Sequence, residues 1–393
     1  MREPVIVGGI RTAIGALGGM LARYRPEELG AIAIRGIVEK TGIEPGLIED
    51  VIMGLSSTWH TASNPARWAL LKAGLPYSIP GVTVERQCAS GLQSINYAAL
   101  QILQGLGDIY IAGGMESWSQ MPWKLSRGEE AYSFTPPRIL PRETAPTAED
   151  SLVMGVTAEN LADQYRISRE EQDDFALRSH DLALRAIRAG YFRDEIIPLS
   201  IPQKKGPVIF DTDERPRETS IEKLAALAPA FKKGGTVTAG NSSGRNDGAA
   251  AVLVMSSEKA AELGYKPLAR WVTCSVVGVD PKIMGIGPAF AIPKALKGTG
   301  LRITDMEVIE INEAFAAQTL ACLKELESQG LSIDRQKLNP HGGAIAFGHP
   351  NGMSGTRLAI FTINELQRRG GRYGLAAFCM GGGQGMATIF ERL

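Results

Sequence analysis

The sequence predicts an α/β protein: two similar βαβ-rich halves forming layered α/β sheets, with a further domain inserted. Three observations carry this. Short apolar, β-branched runs alternate with helical patterns up to about Ser117 and again from about Asn246. The order of the run after Leu268 echoes that of the first. Between Trp118 and Arg245 the rhythm stops, over a stretch too long for a structureless loop. The expected division is 1–117 for the N-terminal half, completed by 246–267, then 118–245 for the insertion and 268–393 for the C-terminal half. A chain of 393 residues is also long for one core.

Each element has its local reason. Val5-Ile6-Val7 is a strand entering a Gly8-Gly9 turn. Pro26-Glu27-Glu28 opens a helix that runs to about Thr41 and stops at Gly42. Val51–Met53 is a strand, Asn64-Pro65 caps a helix to about Ala73, and Gly81–Val84 is a buried strand. The helix from Ser90 to about Gln104 shows Leu92, Ile95, Ala99 and Ile102 on one face, and Ile109–Ala112 is the next strand. This alternation predicts a parallel sheet covered on both faces. In the insertion, helices are expected over about 157–166 and 169–189, the second with a Ser168/Glu171 capping box, and another from Ser220 to Leu227. The second run reads as strand 249–254, helix 258–263, strand 268–279, helix 293–296, strand 307–311, helix 314–329, a glycine-rich turn, helix 354–368 and strand 374–378.

Composition excludes several function classes. Lysine plus arginine equals aspartate plus glutamate, 42 each, so no global field favours nucleic acid or an acidic membrane. No apolar run is long enough to span a bilayer. The start, Met1 to Val7, lacks the layout of a targeting peptide. Four cysteines, none spaced C-x-x-C, do not make a disulfide framework. The expectation is a reduced, soluble, cytoplasmic protein.

Four stretches carry chemistry. Cys88 falls where a strand becomes the N-terminus of a helix, a setting that favours a thiolate nucleophile; a small buried hydrophobe is the bland alternative. Asn312 and Glu313 end a strand, where a plain helix cap is the ordinary role. His341 and His349 lie in a glycine-rich turn before a helix, and a histidine there can act as a base or simply be solvated. Cys379 ends a strand ahead of Gly381-Gly382-Gly383, whose bare N–H groups can form an anion nest. His60 and His180 read as a loop residue and a solvated helix face. Cys274 and Cys322 read as core packing.

Taken together these stretches resemble the thiolases, both degradative 3-ketoacyl-CoA thiolases and biosynthetic acetoacetyl-CoA thiolases, over essentially the full length. The resemblance rests on Gln87-Cys88-Ala89-Ser90-Gly91, Ala239–Gly244 with Asn246–Ala250, Met284–Pro288, Asn312–Phe315, Gly342–Ala346 with Gly348-His349-Pro350, and Cys379–Gly385. It implies the thiolase fold with an inserted CoA-binding loop domain, and acetyl-CoA C-acyltransferase activity through an acyl-cysteine. It implies Cys88 as nucleophile, His349 as its base, and Cys379 as the acid/base at the α-carbon. It also implies Asn312 and the Gly381 N–H as oxyanion partners. Ser243 matches a pantetheine contact, and Met154, Met284 and Phe315 flank the motifs as substrate-binding candidates, with Phe347 beside them. CoA is a substrate, and no metal or other cofactor is implied. Lys204, Lys205, Arg215, Arg217, Lys232 and Lys233 are candidates for its phosphates. The family forms homodimers and homotetramers.

Val153 stands before Met154-Gly155 where short-chain biosynthetic thiolases carry histidine. With the Gln87 and Leu92-Gln93 wording around Cys88, it favours a degradative thiolase over a short-chain acetyl-CoA acetyltransferase. His341 and Phe347 replace the usual asparagine and leucine. A 3-ketoacyl synthase acting on acyl carrier protein is disfavoured by Cys379 and Asn312–Phe315. A non-catalytic acyl-CoA- or lipid-binding relative is disfavoured because no reactive residue is missing.

Overall fold

The computed structural model describes residues 2–57, 62–128, 130, 132 and 134–393. His60 lies outside the described residues. The main strands are β1 (Pro4–Thr12), β2 (Asp50–Gly54), β3 (Gly81–Val84), β4 (Ile109–Ser117), β5 (Asn246–Ser256), β6 (Ala269–Gly278), β7 (Met306–Ile311), β8 (Tyr373–Met380) and β9 (Gln384–Arg392). They form one continuous sheet in the order β7-β8-β9-β6-β1-β5-β4-β2-β3, and two short strands bring its total to eleven. Strands β1 and β6 join the two runs through the antiparallel pairs Val5↔Arg270 and Ile6↔Ala269.

The pairing is mixed, which corrects the expectation of a parallel sheet. β2 pairs in parallel with β3 and β4, and β7 with β8. The pairs β1–β5, β4–β5, β6–β9 and β8–β9 are antiparallel. The cause is connection length. A helix crossover is needed to return a chain in parallel, whereas the tight glycine turn between Met380 and Gln384 forces an antiparallel hairpin. Strand β9 itself was not expected from the sequence, and several elements run longer than their patterns. β4 continues to Ser117, and the last long helix begins at Asn351 rather than Ser354.

The helices that position the site are α1 (Pro26–Thr41), α2 (Pro65–Ala73), α3 (Ser90–Leu103), α4 (Met154–Tyr165), α5 (Arg169–Arg188), α6 (Gly287–Leu296), α7 (Ala316–Ser328) and α8 (Asn351–Arg369). α1 ends as its sequence demands, with Gly42 at φ 69° donating to Val38 O. α5 carries the Ser168/Glu171 capping box. Helices α3 and α8 meet backbone to backbone beneath the sheet ends. A methyl added at Gly114 or Gly91 would strike the Gly352 carbonyl, and one at Gly355 would strike the backbone of Leu92. Only glycine allows that approach.

The chain leaves the sheet after Ser117, touches it again through the short strand Ile196–Ile197 beside β1, and rejoins it fully at Asn246; α4 and α5 lie in between. α5 packs into the interior: His180 is fully buried, not solvated, and accepts a hydrogen bond from the Arg217 N–H at 3.4 Å. Its neighbours on α5 are mostly charged, so periodicity alone hid the buried side. Burial, aided by Arg217 and Arg215, lowers the His180 pKa to about 4.

Candidate active site

One cavity of about 340 Å³ opens at the strand ends, and Cys88, His349, Cys379 and Gly381 all line it. Cys88 lies in a single 3₁₀ turn, Gln87–Ala89, directly before α3. Gln87 takes φ 45°, a left-handed conformation costly for a side chain of its size. It is held there by its N–H donating to Glu85 Oε1 (2.7 Å) and by Ser90 Oγ donating to its carbonyl (2.7 Å). The strained residue turns the chain so that the thiol faces the cavity.

Three groups address Cys88 Sγ. Asn351 Nδ2 donates to it at 3.0 Å, the Gly381 N–H points at it, and the Arg142 guanidinium acts on it through space. Burial nevertheless outweighs these and keeps the thiol pKa above its ordinary value. Cys379 is fully buried at the end of β8, and burial, reinforced by Cys88 and Cys322, pushes it well above the ordinary thiol range. Both cysteines therefore rest as neutral thiols.

His349 follows Gly348, whose φ of 97° and lack of Cβ let the backbone pass Asn246. The His349 N–H donates to Asn246 Oδ1 at 3.1 Å, which fixes the turn. Its ring is held at both nitrogens: Nδ1 lies 2.7 Å from Ser354 Oγ, and Nε2 lies 3.3 Å from Asn312 Nδ2. With the Asn312 amide as placed, Nδ2–H donates to Nε2, Nδ1–H donates to Ser354 Oγ, and the Ser354 hydroxyl donates to Pro350 O at 3.0 Å. That chain leaves Nε2 without a proton. Burial, with a smaller contribution from Arg357, lowers the His349 pKa to about 3, so the imidazole is neutral. Asn312 Oδ1 is buried without a protein partner among the described residues.

Ser243, Met154, Met284 and Phe315 also line the cavity. Phe347 does not; it packs edge-on against Phe192 and Phe361, 5.4 and 5.7 Å between centroids. His341 lies in the same region, 2.6 Å from Glu365 Oε2, away from the cavity. Arg215 is not available to a phosphate in the way its sequence run implied: it donates to the Ile345 and Ser242 carbonyls at 3.2 and 3.1 Å. Lys232 is paired with Asp163 at 2.6 Å, while Lys204, Lys205, Arg217 and Lys233 are exposed. Cys274 and Cys322 are raised by burial to about 11 and about 12 and stay inert.

Sequence reasoning did not single out Asn351, Ser354, Arg142, Trp118 or Glu116. Trp118 Nε1 donates to Asn351 Oδ1 at 2.7 Å and so aims the amide at Cys88. Glu116 is fully buried and accepts from the Ser56 and Gly352 N–H groups at 3.1 and 2.9 Å; burial raises it to about 7. The available signal for Asn351 and Ser354 was their place just past His349, in the segment already marked by its glycines. Among the described residues no cluster of three histidine, cysteine or acidic side chains is arranged to hold a metal, and no helix is long and apolar enough to cross a membrane.

A half-buried thiol and a buried one, beside a neutral imidazole and converging N–H groups, are suited to acyl transfer through a thioester. Comparison with known proteins agrees. Residues 4–258 match the thiolase N-terminal domain and residues 265–392 the thiolase C-terminal domain. An acetyl-CoA acetyltransferase of Chromobacterium violaceum is 48% identical over 99% of this chain and 100% of its own length. A 3-ketoacyl-CoA thiolase of Bacillus subtilis is 45% identical over 100% of both. The crystal structure of human mitochondrial 3-ketoacyl-CoA thiolase superposes with a TM-score of 0.93 at 40% identity, covering 100% of this chain and 99% of that one. The chain therefore belongs to the thiolase family and is an acyltransferase.

Proposed function

We propose that the enzyme works as an acetyl-CoA C-acyltransferase in the degradative direction, cleaving 3-ketoacyl-CoA with CoA to acetyl-CoA and a shortened acyl-CoA. The observation that carries this is the convergence of Cys88, His349, Cys379 and the Gly381 N–H on one cavity. Cys88 Sγ attacks the C3 carbonyl while His349 Nε2 takes the thiol proton, so no free thiolate need form in the buried site. The C3 oxyanion is met by the N–H groups of Cys88 and Gly381. The C2–C3 bond then breaks, the acyl group stays on Cys88, and the acetyl-CoA enolate leaves. Its oxygen is met by His349 and by a water that Asn312 holds, and Cys379 gives its proton to the α-carbon. The Cys379 thiolate regains a proton from the His349 imidazolium, and CoA then attacks the acyl-cysteine as the neutral His349 removes its proton and passes it to the departing Cys88 sulfur. Removing one such oxyanion donor typically costs ~100- to 1,000-fold in rate.

The segment 118–245 serves in this reading as the loop domain that receives CoA, with Ser243 at the pantetheine. No cofactor beyond CoA, itself a substrate, takes part. Strand β3 is an open sheet edge with Val82 exposed, which supports a homodimer or homotetramer. Four unpaired cysteines suit a reducing compartment, and we place the protein in the cytoplasm.

The degradative reading rests on Val153 and on the apolar lining it shares with Leu152, Phe231, Met284 and Phe315. Each methylene buried there is worth about 0.8 kcal/mol. Two more carbons should then raise kcat/KM by roughly tenfold if the gain persists in the transition state. The test is kcat/KM for thiolysis of acetoacetyl-CoA against its six- and eight-carbon homologues. A tenfold preference for acetoacetyl-CoA would establish the short-chain acetyltransferase instead.

A further inference from the structure

Among the described residues, two arginines stand in the cavity without an ion-pair partner. Arg142 and Arg245 both line it, and their guanidinium carbons lie 5.5 and 4.9 Å from the centroid of the Trp118 ring. Like charges gathered on one aromatic ring repel, and their arrangement favours an anion between or beside them. Among the described residues Arg142 hydrogen-bonds only through Nη2 and only to neutral oxygens, Gln87 Oε1 at 2.9 Å and Ser56 Oγ at 3.2 Å. Among the described residues the Arg245 guanidinium makes no hydrogen bond, and neither arginine is in an ion pair. Glu116 exerts a field on Arg142 but makes no ion pair with it; its Oε2 accepts two backbone N–H groups, and its Oε1 is buried without a partner among the described residues.

The phosphates of CoA do not account for Arg142. They lie at the far end of the pantetheine arm from the thioester, whereas Arg142 grips Gln87, the residue next to the nucleophile. A guanidinium this close to Cys88 is within the space of the acyl chain. We propose that the cavity selects 3-oxoacyl-CoA substrates whose acyl chain ends in a carboxylate, which Arg142 and Arg245 receive beside Trp118. This rests on the thiolase reading above and names the substrate class within it. The apolar residues of the cavity take the methylenes, and the arginines take the end group in charge-assisted hydrogen bonds.

The test compares 3-oxoadipyl-CoA with 3-oxohexanoyl-CoA, two six-carbon chains that differ only in a carboxylate for a methyl. The readout is the ratio of their kcat/KM values in thiolysis, which cancels general damage to the enzyme. In the wild type the carboxylated substrate should lead by roughly tenfold or more. Arg142→Gln should cut the ratio about tenfold, Arg142→Lys should keep part of it, and Arg245→Gln, at an exposed side chain, should give a smaller cut. A wild-type ratio at or below one overturns the proposal, as does a ratio that Arg142→Gln leaves unchanged, which would mean that Arg142 serves only the thiol. Either result leaves the thiolase reading intact, because that fails only if neither substrate nor acetoacetyl-CoA is cleaved.

Discussion

Ser354→Ala tests how the base is made ready. Ser354 is fully buried, and its Oγ lies 2.7 Å from His349 Nδ1. The variant removes a hydrogen bond worth about 1 kcal/mol and leaves the Nδ1–H with no partner, at a cost of ~1–3 kcal/mol. Alanine is also the best helix former, so α8 itself gains rather than loses. If the penalty falls on the productive tautomer and ring orientation, kcat drops by ~5- to 150-fold. The assay is the rate at which acetyl-CoA adds an acetyl mass to the Cys88 peptide, measured beside the melting temperature. A variant that melts normally and acetylates within twofold of the wild type would refute the reasoning, because His349 would then not depend on Ser354.

Cys379→Ala should still become acetylated at Cys88 but fail to exchange the methyl protons of acetyl-CoA with deuterated water; wild-type exchange would sink its role as acid and base. Burial disfavours both the Cys88 thiolate and the His349 imidazolium, so iodoacetamide alkylation of Cys88 should rise with a midpoint above that of free cysteine. A midpoint at or below neutrality would instead indicate a thiolate–imidazolium pair. His180 has a folded pKa lowered to about 4 against ~6.5 unfolded. Its unfolded form therefore takes up the proton first, and the stability it confers is present above ~6.5 and lost as pH falls toward 4. The stability advantage of the wild type over His180→Gln should shrink by up to ~3 kcal/mol between pH 7 and pH 4 in urea unfolding; a constant difference would contradict the burial of the ring.

Much of the fold was legible where local chemistry decides it. Pro26 and Gly42 bracket α1, Asn64 caps α2 by accepting from the Arg67 N–H at 3.2 Å, and Ser168 caps α5. Strand direction was not legible, because alternation records only that helices intervene, not which neighbour a strand finds. Strand β9 follows a run of glycines that masks the start of its apolar alternation. At the site, the residues that stood out carry reactive groups or bare backbone. The residues that orient them did not stand out: Asn351 reaches Cys88 across 263 positions, and nothing near it in the chain announces that contact. Arg142 sat unremarked in a proline-rich stretch for the same reason. His180 was misread because its charged neighbours on α5 hide the side that meets Arg217.

The glycine contact between α3 and α8 has a consequence for how this enzyme can change. The nucleophile precedes one of these helices and the base precedes the other, and carbonyl meets α-carbon where they cross. No rotamer intervenes in that contact, so the spacing of the reactive pair is inherited from the main chain. Substitutions that swell or shrink the hydrophobic layers elsewhere displace both helices as one body. The lining residues, by contrast, hang on separate segments around α4, β7 and the loop before β5. New tail preferences can therefore arise by altering those segments one at a time, while the chemistry needs no retuning.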